Sequence, residues 1–522
     1  MTGRADGKSL GQVVLVGAGP GDPGLLTRSG AAWLGRADVV VYDHLSDSRL
    51  LDLAPPSAER ILAGKAKGAC VLSQDEINRI LVDKARQGLC VVRLKGGDPY
   101  IFGRGAEEAE YLRASEVPFR VVPGVTAGVG VTSYAGIPLT HRGTASAVAF
   151  VTGHHDPKTS NEPGARPRVD WSALARFPGT LVVYMGVSRL GAIVETLIRE
   201  GLSSKTPAAV VHAGTLAWQR TITAPLDEIS EAVDQAGFGS PALLIVGDVV
   251  AHREPLNWFE RLPLFGQRIV ITRPLDEARK SAELLESLGA EVLFAPSIEI
   301  RPLLDSSKLE EAIARLESFD WLVFSSSNGV RHFLDRLPTV GKDLRALGRI
   351  KIAAIGPTTV EALASYHLKA DLVPAEFRSE SLVEALKPLV AGRSVLLARA
   401  DRGRDVLLEE LRGIARVEQV AVYRNIDVET LPATVVDRIA VGSVDWITLT
   451  SSAIANRFFD LLPEEAGRKV GTEIKLAAIS PLTAQVARDR GWPVAVEAAR
   501  FDWSNLTQAI VEWVANHSTT RV

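Results

Sequence analysis

The chain has 522 residues, 46% hydrophobic and 23% charged, a composition that suits a globular protein and, at ~100–200 residues per domain, excludes one small fold. Its net charge of −3 and pI of about 6.4 exclude a global basic field that would draw it to nucleic acid or an anionic membrane. The opening MTGRADGKSLGQ lacks the apolar core of a signal peptide and no uninterrupted apolar run reaches membrane-spanning length, so a cytoplasmic location is expected.

Apolar, β-branched runs alternate with helical patterns from the start. VVLVGAG (13–19) is followed by LLTRSGAAWLGRA (25–37) and VVVYDHL (39–45), and EINRILVDKARQG (76–88) leads into CVVRLKGGDP (90–99). Continuous apolar strands of this kind predict an α/β fold, with a mostly parallel sheet covered by helices on both faces. A second set follows in AVAFVTGHH (147–155), TLVVYMGV (180–187), AAVVHAGT (208–215) and ALLIVGDVV (242–250). Between them, HHDPKTSNEPGARPRVD (154–170) is polar and rich in Pro and Gly, which predicts an exposed loop. Strand patterning pauses at HREPLNWFERLPLFGQ and then restarts. The expected organisation is a tail (1–11), a first domain (12–255), a linker (256–266) and a second domain (267–522).

From 268 onward the chain repeats itself. RIVITRP matches RSVLLAR, DWLVFSSSNGVRHFLDRLP matches DWITLTSSAIANRFFDLLP, and KIAAIGPTTVEALA matches KLAAISPLTAQVAR, at offsets of 125, 125 and 124 residues (268 to 393, 320 to 445, 351 to 475). That period is too long for a solenoid and predicts two similar α/β lobes with a ligand cleft between them.

Three glycine-rich loops follow strands in the first half. GAGPGDPG (17–24) is not a dinucleotide fingerprint, because GxGxxG from Gly17 would need glycine where Asp22 stands, and Pro20 and Pro23 stiffen the turn and remove donors. RLKGGDPYIFGRG (93–105) adds four glycines, an aspartate and two arginines, and VPGVTAGVGVTSYAGIPLTHRGT (122–144) adds hydroxyls. Loops of this kind at strand C-termini form the ligand crevice of an open α/β sheet, here built mainly from main chain. Two cysteines, Cys70 and Cys90, form no CxxC pair, and His154–His155 lacks further ligands at suitable spacing, so no metal is expected.

In this order VGAGPGDPGLLT, VVVYDHL, RLKGGDPYIFGRG, VPGVTAGVGVTSYAGIPLTHRG and VVYMG closely resemble the uroporphyrinogen-III C-methyltransferases of the tetrapyrrole methylase family, over about 12–252. The resemblance implies two α/β subdomains with S-adenosylmethionine between them, S-adenosylhomocysteine as product, and usually a homodimer. It places the cofactor on Pro20, Gly96, Gly97, Asp98, Ile101, Thr126, Ala127, Met185 and Gly214. It makes Asp43 a proton acceptor and Lys65 a proton donor, whose bland alternatives are a turn or N-cap aspartate and a solvated lysine. Arg104 and the pair His141–Arg142 would meet the carboxylate arms of the substrate, against the alternative of ordinary surface ion pairs.

The second half has no GxSxG, HExxH, P-loop or Cys/His cluster. It has hydroxyl-bearing turns at strand ends: FSSSNG (324–329), AIGPTT (354–359), LTSS (449–452) and AISPLT (478–483). Such turns offer N–H and O–H donors to a polycarboxylate through Ser326, Asn328, Thr358, Ser451 and Thr483, while the alternative for each is helix N-capping. These segments, with VITRP, LGAEVLFAPSIEI and VAVYR, resemble uroporphyrinogen-III synthase over about 266–510. That family has two lobes joined by a pair of strands, here one lobe from about 267–302 plus 425–510 and the other from about 303–424. Tyr423 matches the family tyrosine, a candidate to help a departing hydroxyl. The family's second-lobe GPTT-like turn is here Ser480-Pro481-Leu482-Thr483.

The expected whole is a bifunctional enzyme with tetrapyrrole substrates. Hydroxymethylbilane is closed to uroporphyrinogen III, which is then methylated twice towards precorrin-2, siroheme and cobalamin. The rival readings are a methylase acting on a later corrin intermediate, and a C-terminal half that only senses or binds tetrapyrroles.

Overall fold

A strand that is apolar at every position has to be covered on both faces, and the first half is built on such strands. A computed structural model of the chain describes residues 10–44, 46–63, 72–154, 169–403 and 405–517. It divides into two units, Met1–Gly266 with Leu288–Glu291, and Gln267–Ser287 with Val292–Val522.

In the first unit, β1 (Gln12–Gly17), β2 (Val39–Tyr42), β3 (Glu59–Leu62), β4 (Cys90–Lys95) and β5 (Phe119–Val122) form a parallel sheet in the order β3-β2-β4-β1-β5. Alternate residues feed separate cores. Val13 and Leu15 join Val39, Val41 and Val91 under the helices Gln74–Arg86 and Gly105–Ala114, while Val14 and Val16 join Val40, Val92 and Leu94 on the other face. The helix Gln74–Arg86 starts with a capping box in which Ser73 and Glu76 satisfy each other's backbone N–H groups.

The second sheet of this unit contains β6 (Val148–Thr152), β7 (Thr180–Tyr184), β8 (Pro207–His212), β9 (Arg220–Pro225) and β10 (Ala242–Val246), in the order β6-β7-β10-β8-β9. Here the expectation of mostly parallel pairing does not hold. β6 and β7 are parallel, but β10 runs antiparallel to both β7 and β8, and β8 antiparallel to β9. The connection Ala213–Gln219 between β8 and β9 is too short for a parallel crossover, which needs a dozen or more residues. Most of the polar stretch 154–170 lies outside the described residues.

The second unit holds β11 (Arg268–Ile271), β12 (Glu291–Phe294), β13 (Ile298–Arg301), β14 (Trp321–Phe324), β15 (Lys351–Ala354), β16 (Ser394–Ala400), β17 (Arg416–Asp427), β18 (Trp446–Leu449), β19 (Lys475–Ala478) and β20 (Val496–Glu497). They form two sheets, β12-β11-β18-β19-β20 and β13-β17-β16-β14-β15. The repeated segments occupy equivalent places, since β11-β18-β19 in one sheet follows the same neighbour order as β16-β14-β15 in the other. All four of these pairings are parallel. One sheet is assembled from both ends of the unit and the other from its middle, with the chain passing between them at β12–β13 and after β17.

Candidate functional site

Parallel strands bring their C-terminal ends to one edge, and the glycine loops of the first sheet meet there. Gly19 and Gly97 exchange backbone hydrogen bonds at 3.2 and 2.7 Å. A β-carbon on Gly17 would stand 2.5 Å from Gly124 Cα and 2.6 Å from the Gly97 carbonyl oxygen, so glycine is required by close approach of three backbones. Asp98 fastens the loop after β4 to the loop after β5, accepting from the Tyr100 N–H at 2.8 Å and the Gly124 N–H at 3.0 Å. Gly124→Ala should therefore push the Gly97 carbonyl away, costing ~1–3 kcal/mol and about tenfold or more in S-adenosylhomocysteine affinity by calorimetric titration.

The second sheet completes the same edge. Thr126 Oγ1 lies 2.7 Å from the Tyr184 hydroxyl, which also accepts from the Gly128 N–H at 2.6 Å. Burial pushes the Tyr184 phenol up, and these two hydrogen bonds oppose it. Pro20 packs against Gly130, and Gly214 against Val131, so both loops abut the helix Ala127–Tyr134. Gly97 has φ +67°, and a side chain there would start 3.8 Å from Ala127 N and Thr126 Cα, in a cradle between two loops. Phe102 (+55°), Arg104 (+59°), Met185 (+55°), Ala213 (+49°) and Thr215 (+70°) all hold left-handed φ on these loops. Such strain, ~1–3 kcal/mol per residue, concentrates where surrounding structure fixes a ligand site. Ile101 and Met185, 37% and 46% exposed, present apolar surface beside this main-chain cradle. Pro20, Gly97, Asp98, Thr126, Ala127 and Gly214 are thus brought together, with Gly96 next to Gly97 and with Ile101 and Met185 next to Phe102 and Tyr184, whose rings lie 4.9 Å apart; backbone and apolar side chains are the groups that suit the adenosyl and methionyl parts of S-adenosylmethionine.

Asp43, directly after β2, receives the Arg93 guanidinium at 2.6 Å. Behind it, Glu108 Oε1 accepts from Arg93 Nε at 3.2 Å, Lys95 Nζ at 2.9 Å and Gln74 Nε2 at 3.1 Å. Arg93, Lys95 and Glu108 are 2%, 3% and 0% exposed. Burial first, then the Arg93 charge, pulls the Lys95 ammonium below its ordinary 10.5, with Glu108 opposing. Sequence reasoning singled out Asp43 alone; the available signal was two cations, Arg93 and Lys95, inside a strand otherwise apolar on both faces.

Arg104 ends the loop that begins at Gly96, whereas His141 and Arg142 lie apart from it. Arg104 is half exposed and pairs with Glu107 at 2.6 Å. His141 packs its ring 4.1 Å from that of His252, which takes up Thr144 Oγ1 at 2.9 Å, and Arg142 is exposed. Both precede β6, whose pairing with β7 sets Val148 opposite Thr180 and Thr152 opposite Tyr184. His141 and Arg142 therefore enter the second sheet at the end opposite Met185. Lys65 and His155 lie outside the described residues. Among the described residues no group of three or more His, Cys, Asp or Glu is arranged to hold a metal ion, and no helix is long and apolar enough to cross a membrane.

In the second unit the hydroxyl turns act as helix caps. Ser326 Oγ accepts from the Gly329 N–H at 2.9 Å, Ser451 Oγ from Ile454 at 3.2 Å and Ser480 Oγ from Thr483 at 3.3 Å. Thr483 is 2% exposed, with its hydroxyl 3.0 Å from Ser480 Oγ, whereas Thr358 is exposed on the first turn of Pro357–Ser365. Ser326 does more than cap, because its Oγ lies 3.1 Å from the Tyr423 hydroxyl. Tyr423 stacks on His332, centroids 5.4 Å apart, and burial raises its phenol, the Ser326 bond opposing. Asn328 donates to Glu277 Oε1 at 2.8 Å, and Arg273 holds the other oxygen of that carboxylate at 2.6 Å. The N-terminal turns of Leu275–Ser287 and Ser327–Leu334, one from each lobe, thereby face each other with Arg273 and Arg331 alongside. The carboxylate between them is the chain's own Glu277, held by both Arg273 and Asn328.

Comparison with known proteins finds two families in order along the chain. The family model described as Tetrapyrrole (Corrin/Porphyrin) Methylases matches residues 12–230, and that described as Uroporphyrinogen-III synthase HemD matches residues 279–508. The Porphyrin biosynthesis protein HemD of Ruminiclostridium josui is 36% identical over 450 residues, 86% of this chain and 88% of that protein. The Uroporphyrinogen-III C-methyltransferase of Bacillus subtilis is 36% identical over 389 residues, 74% of this chain and 76% of its own length. An S-adenosyl-L-methionine-dependent uroporphyrinogen III methyltransferase of Methanosarcina barkeri is 50% identical over 242 residues, 46% of this chain and 93% of that protein. With both family models matched in order and relatives aligned across most of its length, the chain belongs to the family in which a tetrapyrrole methylase is fused to a uroporphyrinogen-III synthase.

Proposed function

We propose that the chain catalyses two consecutive steps. The second unit closes hydroxymethylbilane to uroporphyrinogen III with inversion of the last pyrrole, and the first unit methylates that ring at C2 and C7 to give precorrin-2. The observation that carries the methylase half is the meeting of the Pro20, Gly97 and Gly214 loops on the helix Ala127–Tyr134 and its Thr126 cap, with Met185 directly after Tyr184, the partner of Thr126.

S-adenosylmethionine supplies an activated methyl group on a sulfonium when bound. The chain's own part is to align an electron-rich pyrrole carbon, exclude water and take up a proton. As the new C–CH₃ bond forms and the S–CH₃ bond breaks, its electron pair stays on sulfur. The alkylated ring then loses a proton, and Asp43, oriented by Arg93, is the residue proposed to accept it.

Ring closure expels the bilane hydroxyl as water, so one proton must reach that oxygen. Burial keeps the Tyr423 phenol protonated, and the Ser326–Tyr423 pair is the proposed donor. Holding the carboxylate arms at the turns of Ser326 and Thr358 would favour the one folded conformer that leads to the type III ring. Tyr423→Phe should slow ring closure about tenfold, the worth of one ~1.4 kcal/mol hydrogen bond, with methyl transfer to authentic type III ring unchanged.

The direct test is fresh hydroxymethylbilane with and without S-adenosylmethionine, followed by isomer and mass analysis. Type III ring alone, gaining two methyl groups with the cofactor, supports both halves of the reading. Type I ring only, unmethylated even when type III is added, overturns both. Type I ring with methylation of added type III overturns the synthase half alone.

A further inference from the structure

The stretch that reads as a linker is packed into the first unit, against two cofactor loops. The Phe259 and Trp258 rings lie 4.7 and 5.1 Å from that of Tyr134, and Trp258 Nε1 donates to the Ser133 carbonyl at 3.1 Å. Glu260, beside them, accepts from Gln219 Nε2 at 2.8 Å and Thr221 Oγ1 at 2.6 Å and pairs with Arg253. Gln219 is 2% exposed and turns its Oε1 to the Thr215 N–H at 2.8 Å. Thr215 Oγ1 in turn accepts from the Asp22 N–H at 2.9 Å. A second path reaches the same aspartate, because the Tyr134 hydroxyl donates to Asp22 Oδ2 at 2.6 Å.

The strain at Thr215 gives this network its use. A β-branched residue at φ +70° sits in a region it adopts only when held there. Thr215 is held at two points, its N–H by Gln219 and its Oγ1 by Asp22. Gln219 in turn depends on Glu260, for without that acceptor its buried amide loses the partner that fixes its rotamer. Release of Thr215 would move Gly214 on one side and the Pro20–Asp22 turn on the other.

We infer that Glu260 is a positioning residue of the cofactor site. By anchoring Gln219 it holds Thr215 in its left-handed conformation, and so sets Gly214 and Pro20 for S-adenosylmethionine. This rests on the methylase reading of those two residues, and it makes Arg253–Gly266 part of the methylase site.

The test is calorimetric titration of S-adenosylhomocysteine into the full chain, with steady-state methyl transfer, for wild type, Glu260→Ala, Glu260→Gln and Gln219→Met. Glu260→Ala should raise the Kd and the cofactor KM about tenfold while kcat at saturation stays within about twofold. Glu260→Gln keeps an acceptor oxygen for Gln219 and Thr221 and should recover most of the affinity. Gln219→Met cuts the same path, so it should match Glu260→Ala, and the double variant should be no worse than either. Unchanged Kd in both single variants, a fall in kcat at unchanged Kd, or additive losses in the double variant would overturn the inference. If Glu260→Ala does not fold, Gln219→Met decides it alone. A wild-type chain that binds no S-adenosylhomocysteine would overturn the cofactor reading instead.

Discussion

Asp43→Asn should lower methyl transfer by ~10²–10⁴-fold, the range for loss of a positioned general base. Asparagine keeps the shape and one acceptor oxygen for Arg93, whose guanidinium holds Asp43 at 2.6 Å, so position is retained and basicity removed. S-adenosylhomocysteine affinity should stay at the wild-type level, because the Asp43 carboxylate is held by Arg93 and not by the loops of Gly97, Thr126 and Ala127. Ring closure of hydroxymethylbilane should also be untouched. Single-turnover transfer of a labelled methyl group, run beside a ring-closure assay on the same preparation, reads both at once. Equal loss of the two activities would sink the assignment of Asp43 to methyl transfer.

Glu108→Ala should destabilise the methylase unit by ~3–5 kcal/mol, the cost of leaving buried charge uncompensated. Glu108 is fully buried, and its Oε1 serves both Arg93 and Lys95, themselves 2% and 3% exposed. Removing it sets two buried cations beside each other with only Asp43, on one side, to balance them. Hydrogen exchange at the β4 amides under mild urea reports the loss where it occurs. The double variant Arg93→Met/Glu108→Met should be milder than Glu108→Ala, since it removes charge from both signs. Wild-type protection of β4 in Glu108→Ala would show that the cluster carries little stability.

How far these residues could be foreseen depends on what a local pattern contains. β1, β2 and β4 were legible because both faces are apolar, and the repeat after 268 was legible because matching segments fill matching places in two sheets. Pairing direction was not: β8 and β10 read as buried strands like any other, and only the β8–β9 pair carries a local sign of its direction, in the short Ala213–Gln219 connection. β9, RTITAP, is a half-exposed edge strand and carries no apolar run at all. Within the site, glycine loops signalled the cradle, but Glu108 lies in AEEAEY beside Glu107, which is half exposed and paired with Arg104. Nothing local separates the buried glutamate from the solvated one. Likewise Ser326 and Ser451 cap helices alike, and only the strand carrying Tyr423 sets the first apart.

The discontinuous sheet of the second unit has a consequence for its synthesis. β11 pairs with β18, and the ribosome must travel from 268 to 446 before that partner emerges, ~9–36 s at ~5–20 residues per second. Meanwhile β13–β17 emerge and complete the inserted sheet. Ile269, Val270 and Ile271, fully buried in the finished unit, have only β12 beside them in that interval, and the side that β18 will cover is an open apolar edge, the kind of edge that recruits other chains. The lobe built on β11 and β18–β20 is therefore the last part of the nascent unit to close, and the part for which a chaperone matters most.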